Sequence, residues 1–520
     1  MEKETKTEKE STTKKKLSIK KLIVAFFCVL LVILAIIFIT KLFNKKETYK
    51  DKATYSSSFF IKNNKGKYAL FNESGKKITD FIFDSTSSFV NNSALVHKEK
   101  EGYAIINNKG KDVISYDKYN YISSYSGIYK VRSDKGYKLI DNKGKTILEA
   151  EQIDVSSYGD DYPFIIVTAN NEIKVISYDA KTITTFKQKK SVKSPTVNHV
   201  GKIATVFYNG ENVVFNSKTK KIISKFKNKS HYCANSVSED EKIISLNACA
   251  SWFETVSEKG HMLIIKGKVN DLSKKCDGLS LNNNIVICSS SSGEHIVHIK
   301  GSKATVGEKI NSRIQFIDDE NYIIRNEKDY KIEFIKNGKK VKSMDASISA
   351  SGKAYEDMYV LYVDNGYEFY DKSGKKAIKE NYKYATTFDK NGNARVSKDG
   401  KTYYLINSKG KKISDEYKSL NVYDTYYLAT NEKGLKGILN NKGKLIVETK
   451  YTSIYAKNVR DKNYIVASTE DDKYYLYDLD SNKLIKKANS SITINEHYIK
   501  VSSAKKTSYY TYKDKLIYEE

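Results

Sequence analysis

At 520 residues, with 40% hydrophobic and 12% aromatic content, the chain is long enough for several domains and apolar enough for packed cores, which excludes global disorder. Only 2 prolines are present, which excludes collagen-like and polyproline architectures. The net charge of +28 is almost all lysine, since arginine stands only at Arg132, Arg313, Arg325, Arg395 and Arg460, so bidentate reading of nucleic-acid phosphates and bases is not expected. Abundant Lys, Asn, Ile and Tyr point to an AT-rich genome, a compositional source of positive charge that needs no ligand.

Residues 1–21 form a lysine-rich tail. "LIVAFFCVLLVILAIIFIT", residues 22–40, follows without a charge. At ~1.5 Å per residue a helix of this length spans the ~30 Å hydrocarbon core of a bilayer. A cleaved signal peptide would have a shorter apolar run ending in a small-x-small site, and the exit here is "FITKLFNKK". Cys28 is preceded by Phe26 and Phe27 where a lipoprotein acceptor needs small residues. The expectation is an uncleaved single-pass anchor in the cell membrane. Lys14, Lys15, Lys16, Lys20 and Lys21 outnumber Lys41, Lys45 and Lys46, favouring a cytoplasmic N-terminus and an extracytoplasmic bulk after a linker over 41–56.

Cys233, Cys249, Cys276 and Cys288 follow within one stretch, an even set that in an exported domain suggests two disulfides with three possible connectivities. Four buried thiols are the plain alternative. Zinc is disfavoured because no CxxC occurs and His231 and His261 lack ligand-like spacing.

From residue 57 onward one phrase recurs: "GYAIINNKGKDVI" at 102, "GYKLIDNKGKTIL" at 136, "GYEFYDKSGKKAI" at 366 and "TYYLINSKGKKIS" at 402. A β-prone run meets Asn or Asp at the first position of a type I turn. A glycine then accepts the left-handed conformation that closes a bulged hairpin. The turn glycines Gly75, Gly110 and Gly144 are 35 and 34 residues apart, and Gly338, Gly374, Gly410 and Gly443 are 36, 36 and 33 apart. Weaker copies begin at 177, 215, 265, 299, 477 and 512, giving about thirteen units. A second phrase, such as "SYDKYNYI" at 115 or "SDEYKSLN" at 414, links each hairpin to another apolar run. Each period therefore holds about four short strands and no helix.

The fold expected is all-β, a repeat architecture of tandem β-propeller-like domains, about thirteen blades in all, after the N-terminal transmembrane helix. Two rings, 57–305 and 306–520, fit the usual blade number. A single large ring and an open β-solenoid are the alternatives.

The repeat resembles that of bacterial WG-repeat proteins, whose unit runs from Gly-Lys-Trp-Gly through an apolar pair and an Asp-x-x-Gly-Lys turn to a Lys-Tyr phrase. The likeness covers most of 57–520 and is strongest at 60–150 and 366–455. It departs at the diagnostic dipeptide, where Gly102-Tyr103, Gly136-Tyr137 and Thr402-Tyr403 stand in place of Trp-Gly; the single tryptophan, Trp252, lies elsewhere. The resemblance implies a β-propeller-like binding or surface protein and transfers no catalytic residue.

Local enzyme signatures are missing: no GxSxG, HExxH or GxxxxGK[ST] occurs. His295 and His298 point to opposite faces of a strand unless a bulge intervenes. The acidic pairs Asp160-Asp161, Asp318-Asp319 and Asp471-Asp472 are neighbours on one segment, whereas glycosidase carboxylates face each other across ~5–10 Å. No catalytic residue, metal or cofactor is therefore assigned.

The tip lysines Lys109, Lys111, Lys143, Lys145, Lys375, Lys376, Lys409, Lys411, Lys442 and Lys444 occupy equivalent turn positions. In a propeller they would form a basic ring suited to an anionic envelope polymer or headgroups. Their bland reading is a solvated rim that discourages edge pairing. The function expected is non-catalytic, membrane-anchored binding or scaffolding in the cell envelope, with a protein or anionic-polymer partner. The rivals are a propeller enzyme acting on envelope glycans and a purely structural surface protein.

Overall fold

The computed structural model of the protein describes residues 48–520 apart from 117, 190–193, 250–259, 283, 311–313, 319, 327–328, 351 and 424. The expected tail at 1–21, the spanning segment at 22–40 and residues 41–47 of the linker lie outside them, as does Trp252. Among the described residues no helix is long and apolar enough to cross a membrane. Chain contacts divide at Asp51/Lys52, with the short 3-10 turn Tyr49–Asp51 on one side and the repeat region Lys52–Glu520 on the other.

Within Lys52–Glu520 the described residues form thirteen sheets, nine of them four-stranded antiparallel meanders. The second sheet is representative, with strands Ser85–Thr86, Ser93–Lys98, Gly102–Asn107 and Asp112–Ile114. The recurring phrase makes its last hairpin. Gly110 N–H donates to the Asn107 carbonyl at 2.9 Å, and the Asn107 side-chain oxygen accepts from the N–H groups of Lys109 and Lys111 at 2.9 and 3.1 Å. Pairing then slips by one residue between Ile105 and Ile106, the bulge that glycine at φ +73° closes.

The same side-chain clasp recurs at Asn72, Asp141, Asp371, Asn407 and Asn440. Asn407→Ala removes acceptors at 3.0 and 3.1 Å from Lys409 and Lys411, and the expected cost is about 1 kcal/mol in chemical denaturation.

The two central strands of a typical sheet bury both faces, which is why their apolar residues run consecutively rather than alternating with polar ones. Ala104 and Ile106 pack toward the preceding sheet with Leu70, Phe83 and Phe89. Ile105 packs toward the following one with Ile122, Tyr129 and Val131. The linking phrase carries the chain between sheets and buries its tyrosines, with Tyr382, Tyr417 and Tyr451 at most 7% exposed.

One such core follows another along the whole region. The cluster of Ile285, Ile287, Ile296 and Ile310 with Ile314, Phe316 and Tyr322 includes residues on both sides of position 305. The final sheet also packs on the first. Phe59, Ile61, Ala69 and Phe71 share a core with Tyr509, against which Tyr498, Ile517 and Tyr518 lie. The Arg460 guanidinium pairs with Glu73 beside this contact.

The turn glycines join the sheets as well as closing their own hairpins. A Cβ on Gly110 would come 2.9 Å from Ile78 of the preceding sheet, and one on Gly410 would come 2.8 Å from Ile378. Gly75 makes the equivalent approach to Ile517 and Thr511 of the last sheet, at 3.0 and 3.1 Å. The first repeat thus uses the last as its predecessor.

Candidate functional site

Because the same tip-to-predecessor contact recurs, the lysine-bearing turns project from equivalent edges of successive sheets. All ten lysines picked out from the sequence are exposed. Lys376 pairs with Glu368 at 2.8 Å, and the other nine ammonium groups form no ion pair among the described residues. Their backbone N–H groups are fixed by the Asn or Asp clasp while the charged ends stay in water. Lys76 and the final hairpin's Lys513 and Lys515 occupy the corresponding turns on either side of the contact between first and last sheets, and they too are exposed. The arrangement presents repeated cations without matched anions, which suits a polyanion better than a single small ligand.

The acidic pairs serve local structure. Asp161 pairs with Lys52 at 3.1 Å, and Asp318 accepts the Asn321 N–H at 2.8 Å; Asp319 lies outside the described residues. Asp471 pairs with Lys473 in a turn whose next residue, Asp472, has φ +55°.

A cavity of about 470 Å³ is lined by Asp240, Lys242, Lys266, His298, Glu320 and Tyr322, among others. At its edge the Glu308 carboxylate is 2.6 Å from His298 Nε2 and accepts the Tyr322 hydroxyl at 2.8 Å. Burial raises the Glu308 pKa, but these hydrogen bonds outweigh it and hold the carboxyl below its ordinary range. Gly307 makes room for the imidazole, since a Cβ there would meet the His298 ring at 2.4 Å. His295 is bound elsewhere, to Ser292 Oγ at 3.0 Å and the Gly307 carbonyl at 3.2 Å, so the two histidines share no ligand position. Asp240, also in the lining, pairs with Lys242 at 2.8 Å.

The cysteines pair as Cys233–Cys249 and Cys276–Cys288, with Cα separations of 5.8 and 5.3 Å, both within ordinary disulfide reach. Cys276 and Cys288 are buried at 2% and 0% exposure, whereas Cys233 and Cys249 are half-buried. His231, set aside as a ligand on its spacing in the sequence, stands beside the Cys233–Cys249 pair. His231 Nδ1 lies 3.2 Å from Cys249 Sγ and 4.0 Å from Cys233 Sγ. The available signal was His-x-Cys, because residues two apart in an extended segment share a face. Burial lowers the His231 pKa to about 4, so the ring is neutral at physiological pH.

A family model described as "WG containing repeat" matches residues 68–101 and 369–401, which carry the glycine-closed hairpin phrase. No curated protein matches the chain significantly. Solved structures that align with it include the computationally designed Ika8 protein, at 12% identity and TM-score 0.21, covering 61% of this chain and 95% of that one. A eukaryotic initiation factor aligns at 9% identity and TM-score 0.31, covering 71% and 96%. BamB from Moraxella catarrhalis aligns at 10% identity and TM-score 0.23, covering 61% and 91%.

Proposed function

We propose that the chain is a non-catalytic binding or scaffolding protein of the cell envelope, anchored by residues 22–40, with its repeat region outside the cytoplasm. In this reading the thirteen sheets are blades of one closed propeller-like circle, in place of the two rings expected from blade number. The recurring tip contact and its repetition between the last and first sheets support this. The lysine-tipped face holds a phosphate-bearing envelope polyanion. The observation that carries the reading is the set of nine exposed tip ammonium groups without ion-pair partners among the described residues.

The test uses the 52–520 fragment on polyphosphate beads and, separately, on vesicles containing an anionic phospholipid, each over a salt series. Lysines near an anionic surface contribute about 1 kcal/mol each, so replacing those nine tip lysines by glutamine should weaken binding by at least about 100-fold. Retention on beads alone identifies a polymer ligand, and retention on vesicles alone a headgroup ligand. Absent or salt-insensitive retention, or retention unaffected by the replacement, refutes the polyanion reading. Release of sugars from purified envelope glycans by the fragment would favour the enzyme instead.

A further inference from the structure

We propose that His231, Cys233 and Cys249 form a reducible site for one thiophilic cation, Zn²⁺ or Cu⁺, that is closed while the Cys233–Cys249 disulfide is intact. The three ligand atoms already lie within 4.8 Å of one another. Tetrahedral zinc with Zn–S of ~2.3 Å and Zn–N of ~2.0 Å needs ligand atoms roughly 3.5–3.8 Å apart, so opening the sulfur–sulfur bond leaves little to rearrange.

The histidine is preset for this role. The residue is 8% exposed and its ring stacks on Phe207 at 5.8 Å, so its orientation is fixed by packing. Nδ1 faces the sulfurs, while Nε2 is buried with no hydrogen-bond partner among the described residues. A buried imidazole nitrogen without a partner is costly, and an arrangement that aims the other nitrogen at two sulfurs suits a ligand. The Cys249 N–H donates to the His231 carbonyl at 3.0 Å, which ties the two segments together whether or not the disulfide is present.

Exposure separates this pair from the other one. A reductant reaches half-buried Cys233 and Cys249 before the buried Cys276 and Cys288. The reductant is a dithiol. It gives two electrons and two protons to the Cys233–Cys249 bond and leaves as its own disulfide, so two protein thiols result. Binding the cation then releases both thiol protons. Three protein ligands leave a fourth position for water or an external ligand.

The experiment takes the purified full-length chain through limited reduction, removes the reductant, and titrates Zn²⁺ or Co²⁺ alone without oxygen. One equivalent should bind after reduction and none before. Cys233→Ser and Cys249→Ser should abolish binding, and the Cys276→Ser/Cys288→Ser double variant should retain it. His231→Ala should weaken it roughly 100-fold or more, because even losing a group that only supports a ligand costs 10–100-fold. X-ray absorption of the wild-type zinc form needs no variant and should show two sulfur ligands and at least one nitrogen. No zinc uptake after reduction, uptake that depends on Cys276 and Cys288, an unchanged His231→Ala variant or an all-sulfur spectrum would each overturn the site. Since the readout is metal content, failure here is distinct from failure of the polyanion reading.

Discussion

Replacing Gly443 by alanine should destabilise the repeat region by about 3 kcal/mol, whereas Gly434→Ala should cost about 1 kcal/mol. Both glycines close lysine-bearing turns with nearly the same backbone, at φ +76° and +79°. Left-handed strain is therefore common to both substitutions. The difference lies in what the new methyl group meets. At Gly434 nothing stands within 4 Å, but at Gly443 the Cβ would sit 2.3 Å from the Ile413 carbonyl oxygen of the preceding sheet. That neighbour is backbone and has no rotamer to escape into, so two sheets must move apart. Chemical denaturation of the two variants side by side measures the gap. Equal losses would mean that turn conformation alone selects glycine and that the intersheet approach contributes nothing.

This double duty explains what was readable in the sequence. The clasp from Asn107 and the positive φ of Gly110 are local, so thirteen residues suffice to specify them. Strand content was readable for the same reason, and the consecutive apolar pairs follow from burial on both faces. Weaker copies were harder to see because non-glycine residues take the same turn position. Ala180 at φ +65° and Asp514 at φ +61° each donate a backbone N–H to the residue three positions earlier, as Gly110 does.

What joins the chain's first and last sheets was not readable. Phe59, Phe71, Tyr498 and Tyr509 look like ordinary strand residues, and nothing local marks them as partners across more than four hundred positions. The isoleucine-rich core that runs from Ile285 to Tyr322 has no local signature either. At the cysteines the even count was visible. The approach of His231 was not, because it depends on the hairpin that brings Cys249 back beside residue 231.

The contact between the ends also carries an acid-sensitive group, and its titration should be measurable. His497 stacks on Phe59 with ring centroids 5.1 Å apart, and Arg460 Nη2 donates to its Nδ1 at 3.3 Å. Burial first, and the Arg460 charge second, depress its pKa to about 4. A histidine whose folded pKa lies below its unfolded value of ~6.5 takes up its proton more readily when unfolded. Stability should therefore be complete above pH ~6.5, fall as pH drops toward about 4, and level off below that.

At about 1.4 kcal/mol per pKa unit, His497 contributes up to about 3 kcal/mol to this loss. His231, lowered by burial to about 4, adds a loss in the same window. The turn carboxylate of Asp399 titrates at about 2 under the hold of the Thr402 and Lys401 N–H groups, so its effect comes only at lower pH. His497→Phe keeps an aromatic ring on Phe59 and removes the proton. Urea denaturation at pH 7 and pH 4.5 should show roughly half the wild-type acid loss in this variant, because His231, the other histidine with a lowered pKa, remains. The loss should also be local at first: protease cuts near residues 491–519 should appear before cuts elsewhere as pH falls. If His497→Phe keeps the full acid loss, or early cuts fall far from this contact, His497 is not the group that weakens the meeting of the chain's two ends.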